Sequence, residues 1–244
     1  MGLKDSLLKI ALIVWVFGCV HAETLMLEGR TTPIPAITQS VRALHLRAVG
    51  ADRVYALHFP ETLEALNLSA NNLMLLPGDL IPGHLKHLWL SDNQLMSLPQ
   101  EAGKWHRLTY LNLDRNRLAQ LPDLSSTSLR WLRLNHNRLT HLPPLPETIE
   151  RLYLADNLLR TFTSKPKALR HLTLAGNPLE MVAPDLGCGL EELDLSSTKI
   201  THLPENLTGW QSLRVLNLAN CPLSSNEKDR IEAAFDPLKT LILF

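Results

Sequence analysis

The chain has 244 residues, 24 Lys and Arg against 24 Asp and Glu, and 54 leucines, so about a fifth of it is one residue type. With 45% hydrophobic and 20% charged residues it is rich enough to bury a core, which excludes wholesale disorder. The balanced charge removes the electrostatic basis for nucleic-acid or anionic-membrane binding. Leucine without a matching load of Val and Ile argues against an ordinary parallel sheet, and the lack of long helical periodicity argues against a coiled coil.

Residues 1–22 carry Lys4 and Lys9, an apolar stretch from Ile10 to Phe17, and short residues at Val20-His21-Ala22. This is the layout of a secretory signal cleaved after Ala22. The apolar stretch is too short to span a bilayer, so no transmembrane anchor is expected. A rival reading takes Val16-Phe17-Gly18-Cys19 as a lipoprotein processing box that leaves a lipid tether on Cys19, a box that Phe17 fits poorly. The chain is therefore expected to be exported, either periplasmic or secreted, with an outer-membrane lipoprotein as the alternative. Loss of residues 1–22 leaves 22 basic and 23 acidic residues, so the net charge stays near zero.

Residues 23–40, with Pro33 and Pro35, form a short lead-in expected to lie over the first of the repeats that begin at residue 41. From residue 41 to 223 the pattern Leu-x-x-Leu-x-Leu-x-x-Asn-x-Leu recurs. Good copies start at Leu63, Leu85, Leu108, Leu129, Ile149, Leu169, Leu190 and Leu213, a degenerate one at Val41, and a truncated one at Leu238. Starts fall 20 to 25 residues apart, the period and signature of leucine-rich repeats. Within a copy, leucines two apart such as Leu111 and Leu113 point to one face of a short strand. The asparagines Asn71, Asn93, Asn116, Asn137, Asn157 and Asn177 stand where the chain turns inward, and a side-chain amide can satisfy backbone groups orphaned there. They are expected to form a buried ladder, weakest at Thr198 and Cys221.

Leu-Pro steps at Leu76-Pro77, Leu98-Pro99, Leu121-Pro122, Leu142-Pro143 and Leu203-Pro204 open the return segments, and proline disfavours helix there. The expected fold is an α/β-type repeat solenoid, mostly β: an arc with a parallel concave sheet of about ten strands and an extended, Pro-rich convex side. Residues 224–244 read as a helix-plus-strand cap, with Ser225 as N-cap, Glu227 early in the helix, an apolar face of Ile231, Ala234 and Phe235, and a final strand from Leu238.

The stretch from Leu142 to Leu152, Leu-Pro-Pro-Leu-Pro-Glu-Thr-Ile-Glu-Arg-Leu, resembles the twenty-residue repeat of leucine-rich effectors secreted by Gram-negative pathogens. The longer copies resemble general bacterial leucine-rich repeats, and Asn220 to Phe244 is similar to the terminal cap of bacterial members. The resemblance spans nearly all of residues 41–244 and specifies fold far more than function. The effectors that are ubiquitin ligases carry a large C-terminal catalytic domain, which this sequence lacks, and their export does not use a cleaved signal. Cysteine-rich caps usual in extracellular animal and plant repeats are also missing, which favours a bacterial origin.

If positions four and six of each copy face the core, positions three, five, seven and eight line the concave side. The candidate partner-binding residues there are His87, Trp89, Asp92, Tyr110, Asn112, Asp114, Arg115, Trp131, Arg133, His136, Arg151, Tyr153 and His171. Trp, Tyr and Arg are frequent energetic anchors of interfaces, so a protein or peptide partner is expected across this face. Aromatics also simply suit strands, which is the bland alternative.

Other signals are weaker. His84-x-x-His87 has ligand-like spacing but no third ligand in sequence. Cys188 and Cys221 are offset in the repeat, so no disulfide is expected between them. Asn67-Leu68-Ser69 and Asn206-Leu207-Thr208 match a glycosylation pattern that is meaningless in a bacterium. With no nucleophile elbow and no Gly-rich phosphate loop, no catalytic residue, cofactor or metal is assigned and the chain is not read as an enzyme.

Overall fold

The computed structural model describes residues 23–30 and 34–244. The secretory and Cys19 lipid-attachment readings fall on residues 1–22 and lie outside the described residues. The strands are β1 (Glu23–Glu28), β2 (Val41–Arg47), β3 (Ala65–Asn67), β4 (His87–Trp89), β5 (Tyr110–Asn112) and β6 (Trp131–Arg133). They continue with β7 (Arg151–Tyr153), β8 (His171–Thr173), β9 (Glu192–Asp194), β10 (Val215–Asn217) and β11 (Leu241–Leu243). Among the described residues they form one 11-stranded sheet in chain order, each strand parallel to the next.

This is the leucine-rich-repeat arc that the period predicts, with one strand more. The extra strand is β1, which pairs beside β2 with Leu25 against Leu44 and Leu27 against Leu46. The lead-in therefore extends the sheet at its edge and does not simply lie over the first repeat. Leu25 and Leu27, two residues apart, are the remnant of another copy.

Leucines at positions one, four, six and eleven are buried from Leu63 to Leu218, and they stack into one continuous core. Each buried leucine contributes about 1.5–3 kcal/mol of transfer free energy. Strands only three residues long persist because every repeat adds the same spine to its neighbour.

The asparagine ladder forms as the turn requires. Asn137 Oδ1 accepts from Leu118 N–H at 3.0 Å, and its Nδ2 donates to the Leu113 and Leu134 carbonyls, both at 3.0 Å. Asn93, Asn116, Asn157 and Asn177 repeat this arrangement. Asn71 Nδ2 donates to Leu46 and Leu68, and its Oδ1 accepts from Val49 and Gly50 at the first turn. Thr198 donates to the Leu195 carbonyl and lies 3.3 Å from Cys221 Sγ, which also reaches Leu195 O. Cys221 is only partly buried, contrary to the expectation from its slot, because beyond it no further asparagine turn follows to cover it. Cys188 and Cys221 are both free thiols.

The convex side is mainly extended, with a correction. A five-residue helix, α1 (Ala51–Tyr55), follows β2, and 3-10 turns occupy Gln100–Lys104 and Thr208–Trp210. Both 3-10 turns lie in repeats 23 residues long, Leu85 to Leu108 and Leu190 to Leu213. The residues beyond the twenty of the shortest copies give these two returns the slack to coil. Trp105 and Trp210 sit buried at the ends of those turns, so these two tryptophans are core and not surface.

The cap helix α2 runs Ser225–Ala234, with Ile231 and Phe235 buried against the last repeat, and β11 follows it. Its N-cap is Ser224, not Ser225: Ser224 is extended and its side chain accepts from Glu227 N–H at 3.2 Å. The spacing Ser-x-x-Glu of a capping box is met by Ser224 and Glu227 and not by Ser225.

Candidate functional site

Because strand side chains alternate, residues at positions three and five of each copy project from the concave face while position four enters the core. Parallel register then lines up equivalent positions. His87, Tyr110, Trp131, Arg151 and His171 form one row, and Trp89, Asn112, Arg133, Tyr153 and Thr173 the next.

The two rows interlock through their rings. Trp89 and Tyr110 lie 5.2 Å apart between centroids, Tyr110 and Trp131 6.0 Å, and His87 packs against Trp89 at 6.0 Å. Two guanidinium groups extend the cluster: Arg151 over Trp131 at 4.9 Å and Arg133 over Tyr153 at 5.0 Å. Such contacts hold large side chains in fixed orientations on an open surface. His45, outside the set named from sequence, stands 6.2 Å from Trp89. It occupies position five of the degenerate copy at Val41, so reading the same column two repeats earlier, past Asn67, finds it.

Burial pushes the pKa of His45 and His87 below the ordinary imidazole value, in His87 with help from the Lys86 charge. Burial likewise holds the Tyr110 phenol above its usual value, against the pull of Arg133. At neutral pH His45, His87 and Tyr110 therefore add no charge to the aromatic platform.

Position eight behaves differently. Asp92, Arg115 and His136 have φ of 56°, 57° and 55°, and Ala48, Ala70, Asp156, Gly176, Ser197 and Asn220 share the same left-handed turn. These residues leave the strand and form a rim. There Arg115 reaches Asp92 at 3.9 Å and His136 reaches Asp156 at 3.2 Å, exposed pairs of small energetic worth.

Asp114 is the clearest departure from the sequence reading. It is buried, accepting from Arg133 Nε at 2.7 Å and from Asn135 N–H at 2.8 Å, so its carboxylate is consumed by the fold. Asn112 similarly caps its own turn by accepting from Asp114 N–H at 2.9 Å.

His171 lines a cavity of about 250 Å³ with Glu150, Arg151, Ala168 and Arg170, at the entry ends of β7 and β8. His84 and His87 do not converge on a shared ligand: His84 Nδ1 faces Glu61 at 3.3 Å, whereas His87 joins the rings. Among the described residues no group of three or more His, Cys, Asp or Glu comes together, and no helix is long and apolar enough to cross a membrane.

Family models agree with this architecture. Leucine Rich repeats (2 copies) matches residues 84–126, and Leucine Rich Repeat matches residues 128–147, 189–210 and 212–233. Podocan-like protein 1 of Mus musculus is 34% identical over 158 residues, covering 64% of this chain and 22% of that protein. The chain spans between 10% and 44% of the length of the curated relatives it matches. Among solved structures, a Shigella effector leucine-rich-repeat domain is 28% identical with a TM-score of 0.58, covering 66% of this chain and 70% of that one. YopM from Yersinia enterocolitica WA-314 is 26% identical with a TM-score of 0.61, covering 77% and 44%. The repeat fold is typically a non-catalytic scaffold for protein interaction. The chain carries leucine-rich repeats, and its arc is similar in structure to the repeat domain of a Shigella effector and to YopM.

Proposed function

We propose that this protein is an exported, non-catalytic binding module that docks a protein or peptide partner on its concave face, with host proteins among the candidate partners. The observation that carries this is the continuous platform from His87 through Trp89, Tyr110 and Trp131 to Arg151, with Trp131 41% exposed. Large aromatics left in solvent on a concave sheet cost solubility unless a partner covers them. Rings already locked by their neighbours also lose little entropy on binding. The residues that meet the partner in this reading are those of the two strand rows, with Asp92, Arg115 and His136 at the rim.

The test is affinity capture from envelope and host extracts with wild type and with a Trp89→Ala, Trp131→Ala double variant. A partner retained by wild type and lost by an equally stable double variant supports the reading; a partner held equally by both refutes the placement. Val16-Phe17-Gly18-Cys19 supports a second reading, a tethered surface lipoprotein or adhesin. Mass spectrometry of the exported protein separates Glu23 from a lipidated Cys19 as the first residue.

A further inference from the structure

The concave face changes character along the arc. Over β4 and β5 it is aromatic and uncharged, at β6 the Arg133 guanidinium is paired with Asp114, and at β7 it meets Arg151. Arg151 makes its side-chain contact with the face of the Trp131 ring and forms no ion pair among the described residues. Ring contact occupies the face of a guanidinium and leaves its in-plane N–H donors available, the geometry that suits a carboxylate.

Arg151 does not stand alone. It lines the cavity of about 250 Å³ together with Arg170 and His171. Arg170 uses Nη1 to hold the Leu169 and Lys167 carbonyls, which anchors its guanidinium at the notch. The two carboxylates nearby already have partners: Glu150 accepts from Arg130 at 3.1 Å, and Glu192 lies 3.6 Å from His171 Nε2. His171 Nδ1 is buried without a partner. Of the side chains that line the notch, Arg151 and Arg170 stand against the single carboxylate of Glu150, in a chain whose overall charge is zero.

Resting on the binding reading above, we propose that the partner segment is an extended peptide that lays an apolar or aromatic residue on Trp89 and Tyr110 and an acidic residue into the Arg151–Arg170 notch. The spacing comes from the sheet. Trp89 on β4 and Arg151 on β7 are three strand steps apart, about 14 Å at 4.8 Å per step, and an extended chain covers that in about four residues. The recognised element is an apolar residue followed or preceded by Asp or Glu about four positions away, crossing the strands.

Two fluorescein-labelled Gly/Ser/Thr peptides test this by anisotropy against the full chain. One carries Leu and Asp four positions apart, the other Leu and Lys. The Asp peptide is expected to bind about tenfold or more tightly than the Lys peptide, the scale of a charge-assisted hydrogen bond. Arg151→Met with Arg170→Met should bring the ratio close to one, whereas Trp89→Ala should weaken both peptides alike; unchanged thermal unfolding serves as the control on folding. A ratio near one for wild type, with Trp89→Ala still weakening both, overturns the acidic preference and leaves concave-face binding standing. An Asp preference that survives the double arginine change also overturns it. So does failure of both peptides to bind while neutral oligosaccharides bind in a Trp89-dependent way, which assigns the face to glycans.

Discussion

Arg133 Nε donates to Asp114 Oδ2 at 2.7 Å across the β5–β6 step, and the other Asp114 oxygen accepts from Asn135 N–H. Burial, the largest influence on Arg133, lowers its pKa, but the Asp114 hydrogen bond and charge carry it above its ordinary value. A side chain that faces the binding surface by sequence position is thus part of the scaffold that aims Arg133 over Tyr153. Asp114→Ala should cost about 1–3 kcal/mol by leaving a partly buried N–H and a half-buried guanidinium without their acceptor. Denaturant unfolding measures it. A stability equal to wild type would mean that the pair does not hold this turn.

The ladder predicts opposite effects in its middle and toward its C-terminal end. Asn137→Ala leaves the buried Leu118 N–H without its acceptor, while the Leu113 and Leu134 carbonyls lose one amide donor each and keep Asn116 and Asn157, and should cost about 1–3 kcal/mol. Thr198 is the slot where the asparagine is missing, and Leu179 N–H there lacks the acceptor that Leu159 N–H finds in Asn177. Thr198→Asn should therefore stabilise by about 1 kcal/mol, raising Tm by about 2–4 °C. Thermal unfolding followed by circular dichroism checks both, and a lower Tm for Thr198→Asn would show that Cys221 leaves no room for the amide.

The strands and the ladder were legible because each position is stated many times over: Leu66, Leu88 and Leu111 say the same thing, and one ambiguous copy cannot mislead. What repetition does not state was harder to read. β1 keeps only Leu25 and Leu27 of the pattern, too little to separate from a lead-in loop. The left-handed turn at position eight is hidden in any single copy, since Arg115 and His136 do not advertise it. It emerges only down the column, where Asp92, Asp156, Gly176 and Asn220 are the residue types that tolerate positive φ. The fate of Asp114 depends on which residue the next repeat places beside it, information that lies 19 residues away in Arg133. The aromatic rows were readable from alternation alone, but their extension to His45 required trusting the degenerate first copy.

Gly187 carries a prediction about the convex side. A Cβ there would run into the indole of Trp210, which is fully buried and donates from Nε1 to the Pro184 carbonyl at 2.8 Å. The ring fills the surplus of a 23-residue repeat, and only glycine lets it lie flat against the chain. Gly187→Ala should cost about 1–3 kcal/mol by overpacking. Tryptophan emission should shift to the red as the indole is displaced toward water. Unchanged emission with unchanged stability would mean that the backbone yields at no cost.

The cap should dominate the acid response of the C-terminal repeats. Glu227 accepts from Arg230 at 2.7 Å and 2.8 Å and from Leu203 N–H at 2.8 Å, while Arg230 donates onward to the carbonyls of Leu203, Pro204 and Glu205. The Arg230 hydrogen bond, outweighing burial, holds the Glu227 carboxyl below its ordinary value, and Leu203 N–H adds to it. A carboxyl whose folded pKa lies below its unfolded value binds fewer protons when folded. Its stabilisation is full above the unfolded value of about 4.3 and is lost as pH falls through the lower folded value. Hydrogen exchange of the α2 amides should accordingly accelerate below about pH 4.3 in wild type, after correction for intrinsic exchange. In Glu227→Gln the helix should already be weakened at pH 7, and its stability should be flatter across that window. An identical pH profile in both proteins would remove Glu227 as the group that fastens the cap to the Leu203–Glu205 return.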